Sequence, residues 1–258
     1  MGGREKSRRG YYALFITVVG LLIMIDAATN PEQDGERISK VVIYDPLTSD
    51  GEEPGFTEAC VELFESAGYT VETFMGREVT VDLLKRVPRD CDALILRVHS
   101  GVFEDTVWLF TGERYDNAKY VMEQLADELH IARITPNSDP LFAVGAKFVS
   151  HYMKGRLRDA LVVMMGCEGL NSTDLGEAFL GAGASAYVSW DGLVSLPHTD
   201  EATRVLLEGL VLDGTRLEEA VENTNGVVGG DKLYGSSLTF IPEDAEGIVL
   251  GGARPAGS

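Results

Sequence analysis

Short, strongly apolar segments alternate with amphipathic helical segments along most of this chain. The two most apolar segments are ALILRV at 93–98 and ALVVMM at 160–165. Each is too short for a typical buried helix and has the character of a strand that is covered on both faces. Further strands are predicted at 40–44, 69–74 and 184–190, and helices at 56–67, 81–87, 174–180, 200–212 and 217–222. This order predicts an α/β fold with helices on both faces of a mostly parallel sheet, and functional residues at the carboxyl ends of the strands.

Two parts of the chain, 102–139 and the C-terminal segment, are less regular in pattern, and one predicted helix has two possible starting residues. Between 102 and 139, the clearest periodic segment is YVMEQLADEL at 120–129, which predicts a helix. The longest predicted helix is expected to begin with Thr199 or Asp200 as its cap, because short oxygen-bearing side chains accept from the free N–H groups of a helix start. The end of the chain, 243–258, includes a glycine-rich segment and is predicted to be a flexible tail.

The N-terminus has the charge pattern of a signal anchor. Four basic side chains among the first ten residues precede a run at 11–25 that has no charged side chain. With its neighbours, this run reaches the lower limit for a membrane-spanning helix, and the basic flank predicts that the rest of the chain is extracytoplasmic. The chain is thus divided into a cytoplasmic stub with a signal anchor (1–29), a linker (30–39) and an α/β domain (40–242). Cleavage near Ala27 and Ala28 is the alternative, and it would give a secreted protein.

The chain beyond its first ten residues is strongly acidic. It has 18 Lys and Arg side chains against 40 Asp and Glu there, a formal net charge of −22. Such a surface repels the phosphates of nucleic acids and of anionic lipids. Nucleic acid is therefore not expected as a partner, and the membrane is expected to be contacted only through the N-terminal helix. A peptide or protein substrate is compatible with this charge, and the oligomeric state is left open.

Two residues suited to acyl transfer follow the two most apolar segments. His99 comes directly after ALILRV, and Cys167 follows ALVVMM and Gly166. If the two strands are neighbours, both side chains reach one edge of the sheet, where an imidazole can accept the proton of a thiol. An imidazolium beside Cys167 would lower the thiol pKa and make this residue react faster than Cys60 or Cys91. The alternative is that the cysteine is a small buried side chain and the histidine a hydrogen-bonded loop residue.

Four segments of the chain together resemble the caspase-like cysteine peptidases of clan CD, which include gingipain, clostripain, legumain, separase and the CHAT-domain proteases. The segments are ALILRVHSG, ALVVMMGCEG, GAGASAYVSW and TDEATRVLLEGL, and the resemblance covers about 40–225. It implies a caspase-like three-layer sandwich in which His99 is the general base and Cys167 the nucleophile. The implied oxyanion donors are the amide of Cys167 and that of Ser100 or Gly101, between which the resemblance does not decide.

The same resemblance implies a pocket for the residue that precedes the scissile bond. In gingipain-like and legumain-like relatives, the segment after the strand that follows the cysteine helps to form this pocket, and here that segment is Trp190-Asp191-Gly192. A carboxylate there would pair with a substrate Arg or Lys, so Asp191 suggests basic specificity, with Glu168 as a second carboxylate beside the nucleophile. Trp190 is compatible with a pocket wall and with a core position.

The other histidines do not form a metal-binding pattern. No His or Cys pair has the spacing of a zinc site and no acidic cluster has that of a calcium loop, so no metal and no cofactor is expected. His130 and His151 are assigned to the surface or to packing, whereas His198 could lie over the same sheet edge as His99.

The sequence therefore predicts a membrane-anchored, extracytoplasmic cysteine endopeptidase. The main alternative is an inactive caspase-like module that binds a peptide or acts as a scaffold at the membrane. A redox thiol protein is disfavoured, because the chain has no Cys-x-x-Cys pair.

Overall fold

A six-stranded central sheet organises the fold in the computed structural model, which describes residues 39–50 and 55–250. In chain order, the strands of the protein are β1 (Lys40–Asp45), β2 (Thr70–Met75), β3 (Ala93–Leu96), β4 (Ser100–Phe103), β5 (Thr106–Arg114), β6 (Leu129–Ala132), β7 (Leu141–Val144), β8 (Leu161–Met164), β9 (Ala186–Trp190) and β10 (Leu238–Ile241). The central sheet has the order β2-β1-β3-β8-β9-β10. Its strands are parallel except β10, which runs antiparallel to β9.

Helices and short helical turns connect these strands. The helices are α1 (Gly55–Ser66), α2 (Val81–Leu84), α3 (Val121–Leu125), α4 (Ala146–Tyr152), α5 (Asp174–Gly181), α6 (Leu196–Val211) and α7 (Leu217–Val228), and 3₁₀ turns lie at Pro46–Asp50, Gly76–Glu78 and Glu243–Gly247. Helices α1, α6 and α7 pack on one face of the central sheet, and α2, α4 and α5 pack on the other. The predicted α/β architecture, with a mostly parallel sheet and helices on both faces, is therefore confirmed.

The apolar strands of the central sheet supply side chains to both faces. Successive residues of a strand point to opposite sides, so Val42 and Val162 join the core cluster under α2, α4 and α5. Ile43 and Val163, one position further along each strand, join the cluster under α1, α6 and α7. All four are fully buried, which explains why their segments read as continuous apolar runs rather than as alternating ones.

The region predicted to be irregular forms a second, four-stranded sheet. Its order is β4-β5-β7-β6, and every neighbouring pair is antiparallel. The helix predicted at 120–129 is only the short α3, and the chain then continues into β6. Tyr120 and Asp127 bracket α3 with left-handed backbone conformations, which end the helical path on both sides. Met122 and Leu125 are exposed, so the apolar spacing of this segment does not reflect a core face.

Helix α6 begins four residues earlier than its predicted start. Ser195 occupies the position before its first residue, and Pro197 lies in the first turn, where its missing N–H costs no hydrogen bond. The predicted caps have other partners: the hydroxyl of Thr199 donates to the carbonyl of Met165 at 2.9 Å, and the carboxylate of Asp200 pairs with a guanidinium group.

Part of the predicted flexible tail belongs to the folded core. Ala245 and Leu250 are buried with the cluster under α6 and α7. The amide of Leu217, at the start of α7, donates to the carbonyl of Ile248 at 2.8 Å. The chain therefore stays packed on the domain at least as far as 250, because apolar side chains on both sides of Gly247 are buried in the core.

The predicted signal anchor and the linker up to residue 38 lie outside the described residues. The described chain begins at Ser39, one residue before β1. Within 39–50 and 55–250, no helix combines the length and the apolar character that crossing a bilayer demands.

Candidate active site

The two apolar strands that precede His99 and Cys167 are direct neighbours in the central sheet. β3 pairs with β8 in parallel, and Leu96 lies opposite Met164 at their carboxyl ends. Adjacent strands are about 4.8 Å apart, so the segments that follow them leave the sheet side by side. The expectation that both residues emerge at one sheet edge from adjacent strands therefore agrees with the topology.

The segments that carry the two residues are in direct contact. The hydroxyl of Ser100 donates to the carbonyl oxygen of Cys167 at 2.6 Å. Gly166 makes this approach feasible, because a Cβ atom at this position would lie 2.2 Å from the Ser100 Oγ and 2.7 Å from the carbonyl oxygen of Val98. The turn before the cysteine thus packs against the residues on both sides of His99, at the Val98 carbonyl and at the Ser100 hydroxyl.

Cys167 is a free, half-buried thiol at this edge. Its Sγ donates to the carbonyl oxygen of Val194 at 3.4 Å. Burial raises the pKa of the Cys167 thiol, and the carboxylates of Glu168 and Asp231 raise it further. This direction is opposite to the one expected from a neighbouring imidazolium, because desolvation and negative charge both disfavour a thiolate. In this state the cysteine is a protonated thiol at neutral pH, so nucleophilic attack needs a base.

The backbone after His99 distinguishes between the two predicted oxyanion donors. The amide of Phe110 donates to the carbonyl of His99 at 2.9 Å, and Gly101 lies opposite Trp108 in the same antiparallel ladder. Hydrogen-bonded pairs alternate along such a ladder, so the N–H of Gly101 is directed towards β5 and that of Ser100 away from it. The amide of Ser100 is therefore the better oriented of the two to serve a ligand at the sheet edge.

The chain turns sharply directly after the thiol. Glu168 has a left-handed backbone conformation with φ of 59°, and its amide donates to the carbonyl of Gly192 at 2.8 Å. Gly169 is required at the next position, because a Cβ there would lie 2.1 Å from the Ser189 Oγ. Glu168 is half-buried, and its charge reaches the thiol. Glu168 is the predicted substrate-binding residue that directly follows the candidate nucleophile in the sequence.

Of the other two predicted substrate-binding residues, Trp190 has the core position that was one of its two expected roles, and Asp191 differs from expectation. Trp190 is fully buried, and its indole N–H donates to the hydroxyl of Thr199 at 2.9 Å, so it is a core residue rather than a pocket wall. Asp191 is exposed, and its carboxylate accepts the amide of Ser237 at 2.8 Å. A buried carboxylate in a basic-residue pocket was expected at this position, but Asp191 instead holds the chain that enters β10.

Asp231 is a buried acid near the thiol that the sequence patterns did not reveal. Its carboxylate accepts from the amide and hydroxyl of Ser195, at 2.9 and 2.6 Å, and from the amides of Leu233 and Tyr234, at 2.8 and 3.0 Å. Burial alone would raise the pKa of Asp231, but these hydrogen bonds outweigh it and lower the pKa to about 2. A lone Asp after two glycines, at 229–231, is the only signal in the sequence, and it is a weak one.

A buried ion-pair network lies at the same end of the sheet. Arg97, two residues before His99, forms a bidentate pair with Asp200, at 2.9 Å for each bond, and also donates to both carboxylate oxygens of Asp45. Asp45 in turn accepts from the hydroxyl of Thr57 at 2.8 Å. The single charged residue in ALILRV was the sequence signal for this network. The ion-pair network joins the ends of β1 and β3 to helix α6.

The remaining histidines have packing or surface roles. His130 lies beside the rings of Phe103 and Trp108, and His151 is 2.6 Å from Glu128 through its Nδ1. His198 is buried against Trp190, with ring centroids 5.3 Å apart. Among the described residues, no group of three or more His, Cys, Asp or Glu side chains is arranged to hold a metal ion.

No model of a known protein family matches the chain, and a comparison with curated proteins also finds no similar sequence. The resemblance to caspase-like peptidases therefore stays a prediction. The function has to be argued from the geometry of the sheet edge.

Proposed function

We propose that the protein is a cysteine endopeptidase with His99 as general base and Cys167 as nucleophile. The observation that carries this proposal is the parallel pairing of β3 with β8, together with the hydrogen bond from Ser100 to the Cys167 carbonyl. Acyl transfer by cysteine requires a base within hydrogen-bonding reach of the thiol, and the ends of adjacent strands can bring two side chains this close. No metal or cofactor takes part in this mechanism.

His99 acts as a general base in both halves of the proposed reaction, the formation and the hydrolysis of the acyl-enzyme. As the thiol attacks the peptide carbonyl, the imidazole accepts its proton, and a tetrahedral oxyanion forms with a new C–S bond. The amides of Cys167 and Ser100 stabilise this oxyanion. Collapse breaks the C–N bond and the imidazolium protonates the leaving amine, which gives an acyl-thioester. Water, deprotonated by the same imidazole, then hydrolyses the thioester and restores the thiol.

The topology supports the caspase-like assignment of the fold. A strand order of β2-β1-β3-β8-β9-β10, with a histidine after the third of these strands and a cysteine after the fourth, agrees with the residue order on which the sequence resemblance rests. The antiparallel sheet inserted after His99 is compatible with a single-chain peptidase. Fold alone does not determine function, so this agreement supports the proposal but does not carry it.

Specificity for Arg or Lys before the scissile bond is proposed through Glu168 rather than through Asp191. Glu168 is half-buried next to Cys167, and the net charge of −19 attracts cationic substrates. The carboxylate of Asp191 already accepts the Ser237 amide. A substrate guanidinium or ammonium group beside Glu168 would also offset the negative charge that raises the pKa of the thiol.

A non-catalytic peptide-binding or scaffold module is the second candidate. It is favoured by the state of Cys167, whose thiol donates to Val194 and has a raised pKa. A thiol that stays protonated and hydrogen-bonded would be inert, and the sheet edge would then only bind.

A fluorescent peptidyl chloromethyl ketone with Arg next to the reactive group separates the two candidates. The enzyme predicts labelling of the wild-type protein, none of Cys167→Ala, and labelling slowed at least tenfold in His99→Ala. Cys91→Ala is the matched control, because this cysteine is buried and lies before β3. Labelling that ignores His99, or that is absent under native conditions, supports the binding module instead.

The N-terminal sequence supports a location at the cell membrane with the domain outside the cytoplasm. Protease added to intact cells should then digest the domain, and removal of 1–29 should release it as a soluble protein. A domain that stays protected while an external marker is digested would contradict this location.

A further inference from the structure

Two loops at the carboxyl edge of the central sheet are joined to one another by hydrogen bonds. The first, 191–195, follows β9, and the second, 229–237, precedes β10. The amide and hydroxyl of Ser195 donate to the Asp231 carboxylate, and the hydroxyl of Ser236 donates to the carbonyl of Leu193 at 2.5 Å. Within the second loop, the amide of Asp231 donates to the carbonyl of Ser236 at 2.9 Å. We call these two loops together the paired loops.

The paired loops lie directly against the candidate nucleophile. The carbonyl of Val194 accepts from the Cys167 thiol, and the carbonyl of Gly192 accepts from the Glu168 amide. The Asp231 carboxylate is close enough to the thiol to raise its pKa. A molecule that reaches the thiol would therefore also meet the surface of these loops.

Three large apolar side chains of the paired loops are exposed. Leu193 is 44% exposed, Leu233 76% and Tyr234 54%. They occur in a chain with 41 acidic side chains, and hydrogen bonds to Asp231 and Ser236 fix the backbone that carries them. Exposed apolar side chains on a backbone that is already fixed are typical of a binding site, because the backbone entropy of ordering the loops has already been lost.

We propose that the paired loops bind the apolar side chains of a peptide substrate next to its scissile bond, through Leu193, Leu233 and Tyr234. Asp231 is the positioning residue, since it is buried and its carboxylate accepts four hydrogen bonds from the two loops. This proposal rests on the proposed function, of which it adds the substrate class: peptides with a large aliphatic or aromatic residue beside the basic residue at the cleavage site. Glu168 and the paired loops thus recognise different substrate residues.

Peptide binding to the Cys167→Ala protein tests the proposal apart from catalysis. Two fluorescein-labelled peptides share one sequence except at the centre, which is Phe-Arg-Leu in one and Ser-Arg-Ser in the other. Fluorescence polarisation should give a dissociation constant about tenfold lower for the Phe-Arg-Leu peptide. The double substitution Leu233→Ser/Tyr234→Ser should remove this difference. Leu212→Ser, at an exposed leucine just beyond the C-terminus of α6, is the matched control and should leave it unchanged.

A second variant tests the positioning role. Asp231→Asn leaves all three apolar side chains in place but replaces an acceptor oxygen of the carboxylate by a donor. The ratio of the two dissociation constants should fall towards one, which a uniform loss of folded protein would not produce. Equal binding of the two peptides by the Cys167→Ala protein, or a ratio unaffected by the Leu233/Tyr234 double substitution, would overturn the proposal. Labelling by the chloromethyl ketone is a separate measurement, so the peptidase proposal can survive that result.

Discussion

The hydroxyl of Ser100 donates a hydrogen bond to the carbonyl oxygen of Cys167 at 2.6 Å, so the residue after His99 contacts the residue that carries the thiol. This bond fixes the two loop segments relative to one another beyond the last residues of the β3–β8 ladder. Along the β4–β5 ladder, the backbone N–H of Ser100 is directed away from β5.

Cys167 should be the fastest of the three thiols to react with iodoacetamide in the folded protein. Its side chain is half-buried, whereas Cys60 and Cys91 are buried and desolvation raises their pKa to about 12 and about 11. The pKa of Cys167 is itself raised, so its alkylation rate should keep increasing above pH ~8.5 as the thiolate fraction grows. Peptide mass mapping over a pH series measures the three rates. Modification of Cys167 only in urea would contradict the prediction.

Replacing Gly166 by alanine should disrupt the contact between the segments that carry His99 and Cys167. The new Cβ would clash with the Ser100 side chain and with the Val98 carbonyl, of which the latter cannot move without the backbone. We expect a loss of about 1–3 kcal/mol in the free energy of unfolding, measured with urea, and a loss of labelling at Cys167. Gly181→Ala is the control, since no atom outside its chain neighbours and the backbone of its own helix lies within 4 Å of its Cβ position. Equal behaviour of the two variants would show that the close approach is unimportant.

The substitution Glu168→Gln should reduce the preference for Arg or Lys before the scissile bond by about tenfold in kcat/KM, because it removes the charge and keeps the shape. Asp191→Asn should have little effect on this preference, since the Asp191 carboxylate accepts the Ser237 amide instead. A positional library of fluorogenic peptides gives both values. A larger effect of Asp191→Asn than of Glu168→Gln would indicate that Asp191 recognises the basic side chain instead.

Arg97→Met should destabilise the protein by about 3–5 kcal/mol, because it leaves the carboxylate of Asp45 buried without its cation. Arg204→Met is the matched control: Arg204 forms an exposed pair with Glu208 one turn away on α6, and we expect less than about 1 kcal/mol. Urea denaturation measures both. Similar losses for the two variants would mean that the buried network contributes little to stability.

The sequence predicted the strands that precede His99 and Cys167 well, because a continuous apolar run of this length is typical of a strand that is covered on both faces. ALILRV and ALVVMM are β3 and β8, and the positions of His99 and Cys167 followed from them. The second sheet was missed, since its strands β4 to β7 have mixed burial and are set by pairing between distant segments rather than by local pattern.

The surroundings of the thiol were less predictable than its position. Trp190 was assigned to a pocket wall or the core, and only the packing of α6 on β9 decides for the core. Asp231 contacts Ser195 across 36 residues of sequence, and no spacing rule connects such residues. The predicted direction of the Cys167 pKa shift was wrong, because the burial of the thiol and the approach of Asp231 follow from the tertiary fold. The adjacent Glu168 was interpreted as a substrate-binding residue and not as a charge that acts on the thiol.

The antiparallel direction of β10 determines which loop can vary at the carboxyl edge of the central sheet. β10 begins where its neighbour β9 ends, with Leu238 opposite Trp190. The loop before β10 therefore arrives at the same edge as the loops after β3 and β8, although it lies far from both along the chain. Changes in the length or composition of 229–237 can thus alter what is recognised there without touching the turns that carry His99 and Cys167.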